Sequence, residues 1–198
     1  MVLENMNQNV LAVIEKIRVL GGEQYGERAW RNSIRRDTGP ILQALVCAAQ
    51  PKTILELGTG YGLSTCYLAL GNSETIIHTV EFDRIVAEQA AKHFQLAGIS
   101  HQIRQWVCHS SDAIAKIPLE IPSPDFVFID HAKPPYKEDV SAIVARGDGR
   151  EILLVADNVE DRKQELEDFL EWIPSIALNL TVISTECGLL VARVKVGN

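Results

Sequence analysis

The segment ILELGTGYG, residues 54–62, is an apolar run that leads directly into a turn containing three glycines. The run has the length and composition of a buried β-strand, and the residues that follow the turn favour a helix. Glycine lets the backbone of such a turn pass close to a ligand, and the amide groups at the start of the next helix face the same point. The segment therefore predicts a strand–turn–helix unit with a ligand at its turn.

The rest of the chain repeats this alternation of short apolar runs and helical stretches. Strands are predicted over residues 53–57, 76–80, 102–107, 126–129 and 152–156, and helices over 63–70, 84–97, 112–117, 136–145 and 161–172. Short strands separated by helices are typical of a parallel sheet that is covered on both faces. Two further runs, 180–184 and 188–194, are separated by only three residues, so we expect the chain to end in an antiparallel hairpin.

The residues before the first predicted strand favour a small helical cap. Apolar side chains recur at helical spacing through the first twenty residues, and the glycine pair at 21–22 is predicted to end that helix. A short second helix is expected over residues 23–31. A third is expected to begin with Thr38 or Gly39 as its cap and with Pro40 in its first turn.

The composition is that of one globular domain without a surface for polyanions. The chain has 198 residues, of which 46% are hydrophobic and 23% charged, so we predict a single domain over 1–198, with the cap over 1–50 and an α/β core over 51–198. Its formal net charge of −7 disfavours nucleic acid and anionic membranes as partners. Because the N-terminus does not read as a secretion signal and the four cysteines form no close pair, we expect a cytoplasmic protein with reduced thiols.

An acidic residue, Glu81, directly follows the predicted strand after the glycine turn, in the stretch IIHTVEFD. A carboxylate at this position can accept hydrogen bonds from both hydroxyls of a ribose, so the pair of features indicates a cofactor that contains a nucleoside. A nicotinamide dehydrogenase is one alternative, although its fingerprint reads G-x-G-x-x-G and this turn reads G-x-G-x-G. A tight turn that binds nothing is the other alternative.

Two more strand ends carry polar side chains, in FIDHAK at residues 128–133 and in LVADN at residues 154–158. Asp130 and Asp157 each follow a predicted central strand, and the carboxyl ends of parallel strands form the edge where ligands bind. With Asn158 they offer three oxygen ligands of the kind that Mg²⁺ prefers. The alternative is that these acids only cap their loops.

In their order and spacing, ILELGTGYGLST, VEFD, FIDHAK and ADN resemble the catechol O-methyltransferase-like family of metal-dependent O-methyltransferases. The resemblance runs from about Trp30 to the C-terminus, and the DHAK and DN pieces are its most specific part. It implies the class I, Rossmann-like methyltransferase fold: an α/β protein with a seven-stranded, mostly parallel sheet, helices on both faces, and an antiparallel C-terminal hairpin. It also implies S-adenosylmethionine and Mg²⁺, or another divalent cation, as cofactors.

The resemblance implies a role for each residue that matches the family pattern. It implies that Asp130, Asp157 and Asn158 hold the metal and that Lys133 is the general base. The residues implied around the cofactor are Ile34, Glu56, Gly58, Gly60, Ser64, Glu81, Ser111, Asp112 and Asp130, with Glu81 on the ribose and Ser111 and Asp112 near the adenine. The residues implied around the acceptor are Trp30, Lys133 and Asn158.

Other residues near these motifs are not assigned to the reaction. Trp106 and Trp172 are expected to pack in the core, and His131 is expected to support the metal site or to pack on the cofactor. The turn before the last strand is short, so the acid that closes the catechol pocket in the family has no clear counterpart here. Glu186 is nearby but poorly placed for that role.

Together these features predict transfer of a methyl group from S-adenosylmethionine to a hydroxyl, most simply that of a catechol-type vicinal diol on a small molecule. The alternatives are the same chemistry on a hydroxylated natural product or a modified tRNA base, and a cofactor-binding module without catalysis. The apolar face of the first helix could also pack against a second copy, so a homodimer is a further expectation.

Overall fold

The computed structural model of the protein describes residues 2–23 and 33–197, and a seven-stranded sheet lies at its centre. The strands are β1 Thr53–Leu57, β2 Ile76–Glu81, β3 Ile103–Val107, β4 Phe126–Ile129, β5 Glu151–Asp157, β6 Ala177–Ile183 and β7 Leu189–Lys195. Their order across the sheet is β3-β2-β1-β4-β5-β7-β6. The first five strands are parallel, and β7 is antiparallel to both β5 and β6. The predicted sheet and its terminal hairpin are therefore confirmed.

Helices cover both faces of this sheet, as predicted. They are α1 Val2–Glu23, α2 Thr38–Ala49, α3 Leu63–Gly71, α4 Arg84–Ala97, α5 Ser110–Ile114, α6 Tyr136–Ala145 and α7 Glu167–Trp172, followed by a 3₁₀ turn at Ile173–Ser175. Successive residues of a strand point to opposite faces. In β4, Phe126 and Phe128 accordingly pack in the cluster that includes α1 to α4, whereas Val127 and Ile129 pack in the cluster with α5 to α7.

The first helices depart from the prediction at their ends. Helix α1 continues to Glu23, past the glycine pair at 21–22. Helix α2 begins at Thr38 after Asp37, and no side chain caps it. The Asp37 carboxylate instead accepts a hydrogen bond from the backbone amide of Glu186, at 2.7 Å. The prediction of a Thr38 or Gly39 cap was wrong because both residues already lie inside the helix, and Asp37 occupies the position before it. The helix predicted over 23–31 lies outside the described residues, apart from its first position.

The helix predicted over 161–172 is also shorter in the structure, where α7 begins only at Glu167. Residues before it form turns, since the amides of Glu160 and Asp161 donate to the carbonyl of Cys187. These amides contact the terminal hairpin, which local sequence does not reveal. The remaining elements lie within three residues of their predicted bounds. In the part of the chain that is described, none of the helices combines the length and apolar character needed to cross a bilayer.

Candidate active site

Four central strands end in one row at the carboxyl edge of the sheet. In the register of the sheet, Leu57 pairs with Val80 and Ile129, and Ile129 pairs with Ala156. The next residue in each strand or loop is Gly58, Glu81, Asp130 or Asp157. The sheet thus brings the glycine turn and three of the predicted acids to one line.

The glycine turn is in direct contact with the loop after β4. Gly58 has φ +105°, and a Cβ atom there would lie 2.4 Å from the carbonyl oxygen of Asp130. Only glycine fits this approach. The turn is also tied to β2, because Gly58 donates to the carbonyl of Val80 and the amide of Gly60 donates to Glu81 Oε2, both at 3.0 Å. Any ligand in this turn would therefore lie next to the Asp130 loop.

Glu81 is buried, and its carboxylate holds the turn together. Its Oε2 accepts the Gly60 amide and its Oε1 accepts the Asp83 amide at 3.0 Å. Burial raises the pKa of Glu81 above its usual value, and the amide hydrogen bonds oppose that effect. A carboxylate oxygen can accept more than one hydrogen bond, so these contacts leave capacity for a ligand hydroxyl.

Glu56 lies beneath the turn in β1 and is fully buried. Its Oε2 accepts hydrogen bonds from the hydroxyls of Thr65 at 2.6 Å and Thr79 at 2.5 Å, which joins β1 to α3 and β2. Its Oε1 has no hydrogen-bond partner among the described residues. Burial raises the pKa of Glu56 to about 7, and the nearby hydroxyls of Ser64, Thr65 and Thr79 only partly oppose that effect.

This pKa predicts that Glu56 makes the fold less stable as pH rises. In the unfolded chain the carboxyl ionises near its ordinary pKa of 4.5, whereas in the folded chain it keeps its proton to about pH 7. Stability from this group is therefore complete below about pH 4.5 and is lost as pH rises toward 7. Relative to Glu56→Gln, the wild type should lose roughly 3 kcal/mol of unfolding free energy over that window, at about 1.4 kcal/mol per pKa unit.

Urea unfolding between pH 4.5 and 8 measures this difference. The exposed residue Glu88 on α4 provides the matched control, because Glu88→Gln should follow the wild-type pH dependence. A gap between wild type and Glu56→Gln that stays constant with pH would show that Glu56 is ionised in the folded protein throughout.

Lys133 is held at the Asp130 loop and is not a surface lysine. Its Nζ donates to Asp130 Oδ1 at 2.9 Å and to the Tyr136 hydroxyl at 3.0 Å, and only 13% of its side chain is exposed. The Tyr136 hydroxyl in turn donates to the carbonyl of Ile129 at 3.1 Å, at the end of β4. The amine is thus positioned by one carboxylate and one buried phenol.

Asp157 and Asn158 lie across from this pair, at the end of β5. Asp157 is buried, and within the described part of the chain its Oδ1 has no hydrogen-bond partner. Burial, followed by the nearby charge of Asp130, raises the pKa of Asp157 to about 8. Asn158 has φ +68° and donates from Nδ2 to Asp161 Oδ1 at 3.2 Å.

These groups fit a divalent cation by their chemistry. An unpartnered buried carboxylate oxygen beside a second carboxylate is costly, and a bound cation would remove that cost. Carboxylates with an amide oxygen are a donor set that suits Mg²⁺. Among the described residues no three His, Cys, Asp or Glu side chains form a metal-binding group. The set predicted from the sequence has two carboxylates and one amide.

The sequence analysis missed the role of Tyr136, and it did not find the partner of His131. Tyr136 is fully buried, and its ring packs edge-on against His131 and Phe169. His131 bonds through Nε2 to Asp139 Oδ2 at 2.9 Å and through Nδ1 to the carbonyl of Ala132 at 2.6 Å. The signal available in the sequence was the position of Tyr136, three residues after Lys133 at the start of α6.

The predicted adenine-side residues lie next to the end of β2. Ser111 and Asp112 are in the first turn of α5, directly after β3. Phe82, which the sequence analysis also passed over, follows Glu81 and is 70% exposed. Its ring stacks on His109, with centroids 5.9 Å apart and an interplanar angle of 7°. An exposed aromatic plane beside Glu81 is a surface on which a base could stack.

The remaining predicted residues fall in different places. Trp30 lies outside the described residues, and Ile34 is buried with the cluster of α1 to α4. Trp106 and Trp172 pack against the opposite cluster, as expected. Glu186 is in the β6–β7 turn, mostly exposed, and its Oε1 is 3.6 Å from Arg35 Nε.

The sequence of the chain is similar to those of known methyltransferases. The profile of the family described as "Methyltransferase domain" matches residues 55–159. Catechol O-methyltransferase of Niastella koreensis is 37% identical over 131 residues, which cover 64% of this chain and 58% of that protein. Catechol O-methyltransferase of Bos taurus is 27% identical over 177 residues, covering 87% of this chain and 64% of that protein. The chain thus matches about three fifths of the length of these two relatives.

Solved structures show the same fold. An O-methyltransferase from Bacillus cereus, in complex with SAH, superposes with a TM-score of 0.79 at 23% identity and covers 93% of this chain and 91% of that one. The O-methyltransferase TomG from Streptomyces achromogenes, in complex with SAM, has the same TM-score and identity, covering 94% of this chain and 90% of that one. At this level of identity the likeness concerns the arrangement of the sheet and helices.

Proposed function

The chain belongs to the catechol O-methyltransferase-like family of S-adenosylmethionine-dependent methyltransferases, and we propose that it transfers a methyl group from this cofactor to a hydroxyl with the aid of a divalent metal. The observation that carries the proposal is the pairing of Lys133 with Asp130, 2.9 Å apart, in a loop that touches the glycine turn. A candidate base and a candidate metal ligand in one loop, next to a candidate cofactor turn, form an arrangement that suits methylation of a hydroxyl.

The cofactor would occupy the turn between β1 and α3. Glu81 would accept the ribose hydroxyls, while Gly58, Gly60 and Ser64 would surround the methionine part. The adenine would lie toward Ser111 and Asp112. The stacked ring of Phe82 supports that end of the site, because its exposed face is available to the base. Glu56 would support the turn from β1, and Ile34 would cover it.

Glu81→Ala is expected to weaken S-adenosylmethionine binding by about 1.5–3 kcal/mol, the usual value of hydrogen bonds to a charged group. The physical reason is loss of the ribose acceptor, together with the carboxylate that fixes the Gly60 amide. Calorimetric titration of the cofactor measures the effect, with Glu88→Gln as a control on the same side of the sheet. Unchanged affinity in a folded Glu81→Ala variant would remove this residue from the cofactor site.

A metal would be held by Asp130, Asp157 and Asn158, and when bound it would polarise the acceptor hydroxyl as a Lewis acid. A phenol has a pKa near 10, so at neutral pH it needs both such help and a base. Two carboxylates and one amide leave coordination positions for oxygens of the acceptor. A vicinal diol, which can offer two oxygens, uses those positions best.

Lys133 would remove the proton from the hydroxyl. A neutral amine has two hydrogens and one lone pair. Because Nζ already donates to both Asp130 and Tyr136, its lone pair would point to a third direction, where it can accept the proton. The deprotonated oxygen then attacks the methyl carbon. The new carbon–oxygen bond forms as the carbon–sulfur bond breaks. The electron pair of the carbon–sulfur bond stays on sulfur, which gives S-adenosylhomocysteine.

The direct test is turnover of labelled S-adenosylmethionine with catechols, caffeoyl esters and bulk tRNA as acceptors, each with and without Mg²⁺. We expect metal-dependent labelling of a small catechol-type diol. Labelling of tRNA would show that the acceptor is a modified base, despite the negative net charge of the chain. Cofactor binding without turnover on any acceptor would favour the non-catalytic alternative.

A further inference from the structure

Asn158 is the candidate metal ligand whose orientation matters most, because a carboxamide presents an oxygen on one side and an NH₂ group on the other. Only the oxygen can bind a cation. In the structure Nδ2 donates to Asp161 Oδ1 at 3.2 Å. A carboxylate accepts hydrogen bonds and does not donate them, so this contact sets which end of the amide faces Asp161 and which end is left for the metal.

Asp161 is itself fixed by the terminal hairpin. Its amide donates to the carbonyl of Cys187 at 3.3 Å, and the amide of Glu160 donates to the same carbonyl at 2.9 Å. Gly188 approaches so closely that a Cβ there would lie 2.4 Å from Glu160 Cγ. The loop that carries Asn158 therefore rests against a turn from the other end of the core, which limits its movement.

The second oxygen of the Asp161 carboxylate, Oδ2, faces the positively charged side chain of Arg162. Arg162 Nε lies 3.9 Å from Asp161 Oδ2, and the Arg162 Nη1 atom is paired with Glu165 at 2.9 Å. Both sides of the Asp161 carboxylate thus meet a donor or a positive charge. Neither Asp161 nor Arg162 lies in the sequence motifs that carry the family resemblance.

We propose that Asp161 is the positioning residue of the metal site: it holds the Asn158 amide with its oxygen directed away from Asp161 and toward the cation. This inference rests on the proposed metal site. Groups that orient a metal ligand commonly change metal affinity by about 10–100-fold when they are removed. Loss of Asp161 would weaken metal binding. It would leave cofactor binding unaffected, because the cofactor turn follows β1 and Asp161 follows β5, with β4 between them.

The test compares Asp161→Ala with Asp161→Asn by calorimetric titration of Mn²⁺ and, separately, of S-adenosylmethionine without metal. Asp161→Ala should weaken Mn²⁺ binding by about 10-fold or more, with cofactor affinity within about twofold of wild type. Asp161→Asn should restore most of the metal affinity, because its amide oxygen can still accept the Asn158 NH₂ group. Glu165→Ala, an exposed acid of the same loop that also pairs with Arg162, should behave like the wild type.

The outcomes separate this inference from the proposed function. Wild-type protein that binds no Mn²⁺ would overturn the metal site and the role of Asp161 together. Wild-type binding with an unaffected Asp161→Ala variant would overturn only the positioning role. Equal losses in the alanine and asparagine variants would also overturn it, since the residue would then act through its charge or as a ligand. Thermal melting of each variant controls for loss of folding.

Discussion

Lys133→Ala should lower kcat by about 10²–10⁴-fold, the usual contribution of a positioned base. The amine that would accept the proton is removed, and no other described lysine bonds to Asp130. The lysine lies in the loop after β4 and its described hydrogen bonds go to Asp130 and Tyr136, so cofactor affinity should change little. Single-turnover kinetics with labelled cofactor, alongside calorimetry, measures the two effects separately.

Lys133→Arg tests whether the position supplies a base or only a positive charge. A guanidinium stays protonated to above about pH 12 and cannot take the proton, so this variant should be as slow as the alanine variant. Lys137→Ala is the matched control. Lys137 and Lys133 both line a cavity of about 260 Å³ between the start of α6 and the first turn of α7 with the loop before it, but Lys137 makes no described contact with Asp130. An arginine variant with near wild-type kcat would show that the general-base assignment is wrong.

Removal of divalent metal with EDTA should lower turnover by about 10²-fold or more, because Lewis-acid polarisation of the hydroxyl is worth several kcal/mol. Mg²⁺ should restore activity. Cofactor binding should largely survive, since the ligands implied for the metal lie after β4 and β5 and the ribose acceptor lies at the end of β2. Turnover and calorimetry on the same chelated sample give both quantities.

Asp157→Asn tests whether the loss of turnover on metal removal arises at the proposed metal site. It keeps the shape of a buried side chain whose Oδ1 has no described partner but removes the charge that would hold the cation. We expect the variant to bind cofactor and to respond little to added Mg²⁺. Full activity after exhaustive chelation of the wild type would exclude the metal mechanism and leave a metal-independent methyltransferase.

Much of the fold follows from patterns that are local in the chain. The run at 54–57 and the glycines at 58, 60 and 62 predict a strand and a ligand turn because burial and positive φ impose those residue types. The acids at the ends of β4 and β5 were likewise predicted to share an edge, since parallel strands place their carboxyl ends together. These features depend on residues a few positions apart, so the sequence alone is sufficient to find them.

Other features depend on contacts between distant segments, and no local pattern encodes them. Helix α2 already includes the residues expected to cap it, and the Asp37 carboxylate that precedes it bonds to Glu186, 149 residues away, and not to the helix. Helix α7 starts late because the amides before it donate to the hairpin turn. The same kind of contact sets the site, where the fold decides that Lys133 is held between Asp130 and a buried Tyr136 and that Asp161 faces Asn158. Sequence identified most of the candidate groups, whereas packing set their orientation, because orientation depends on hydrogen bonds that form only when remote backbone segments meet.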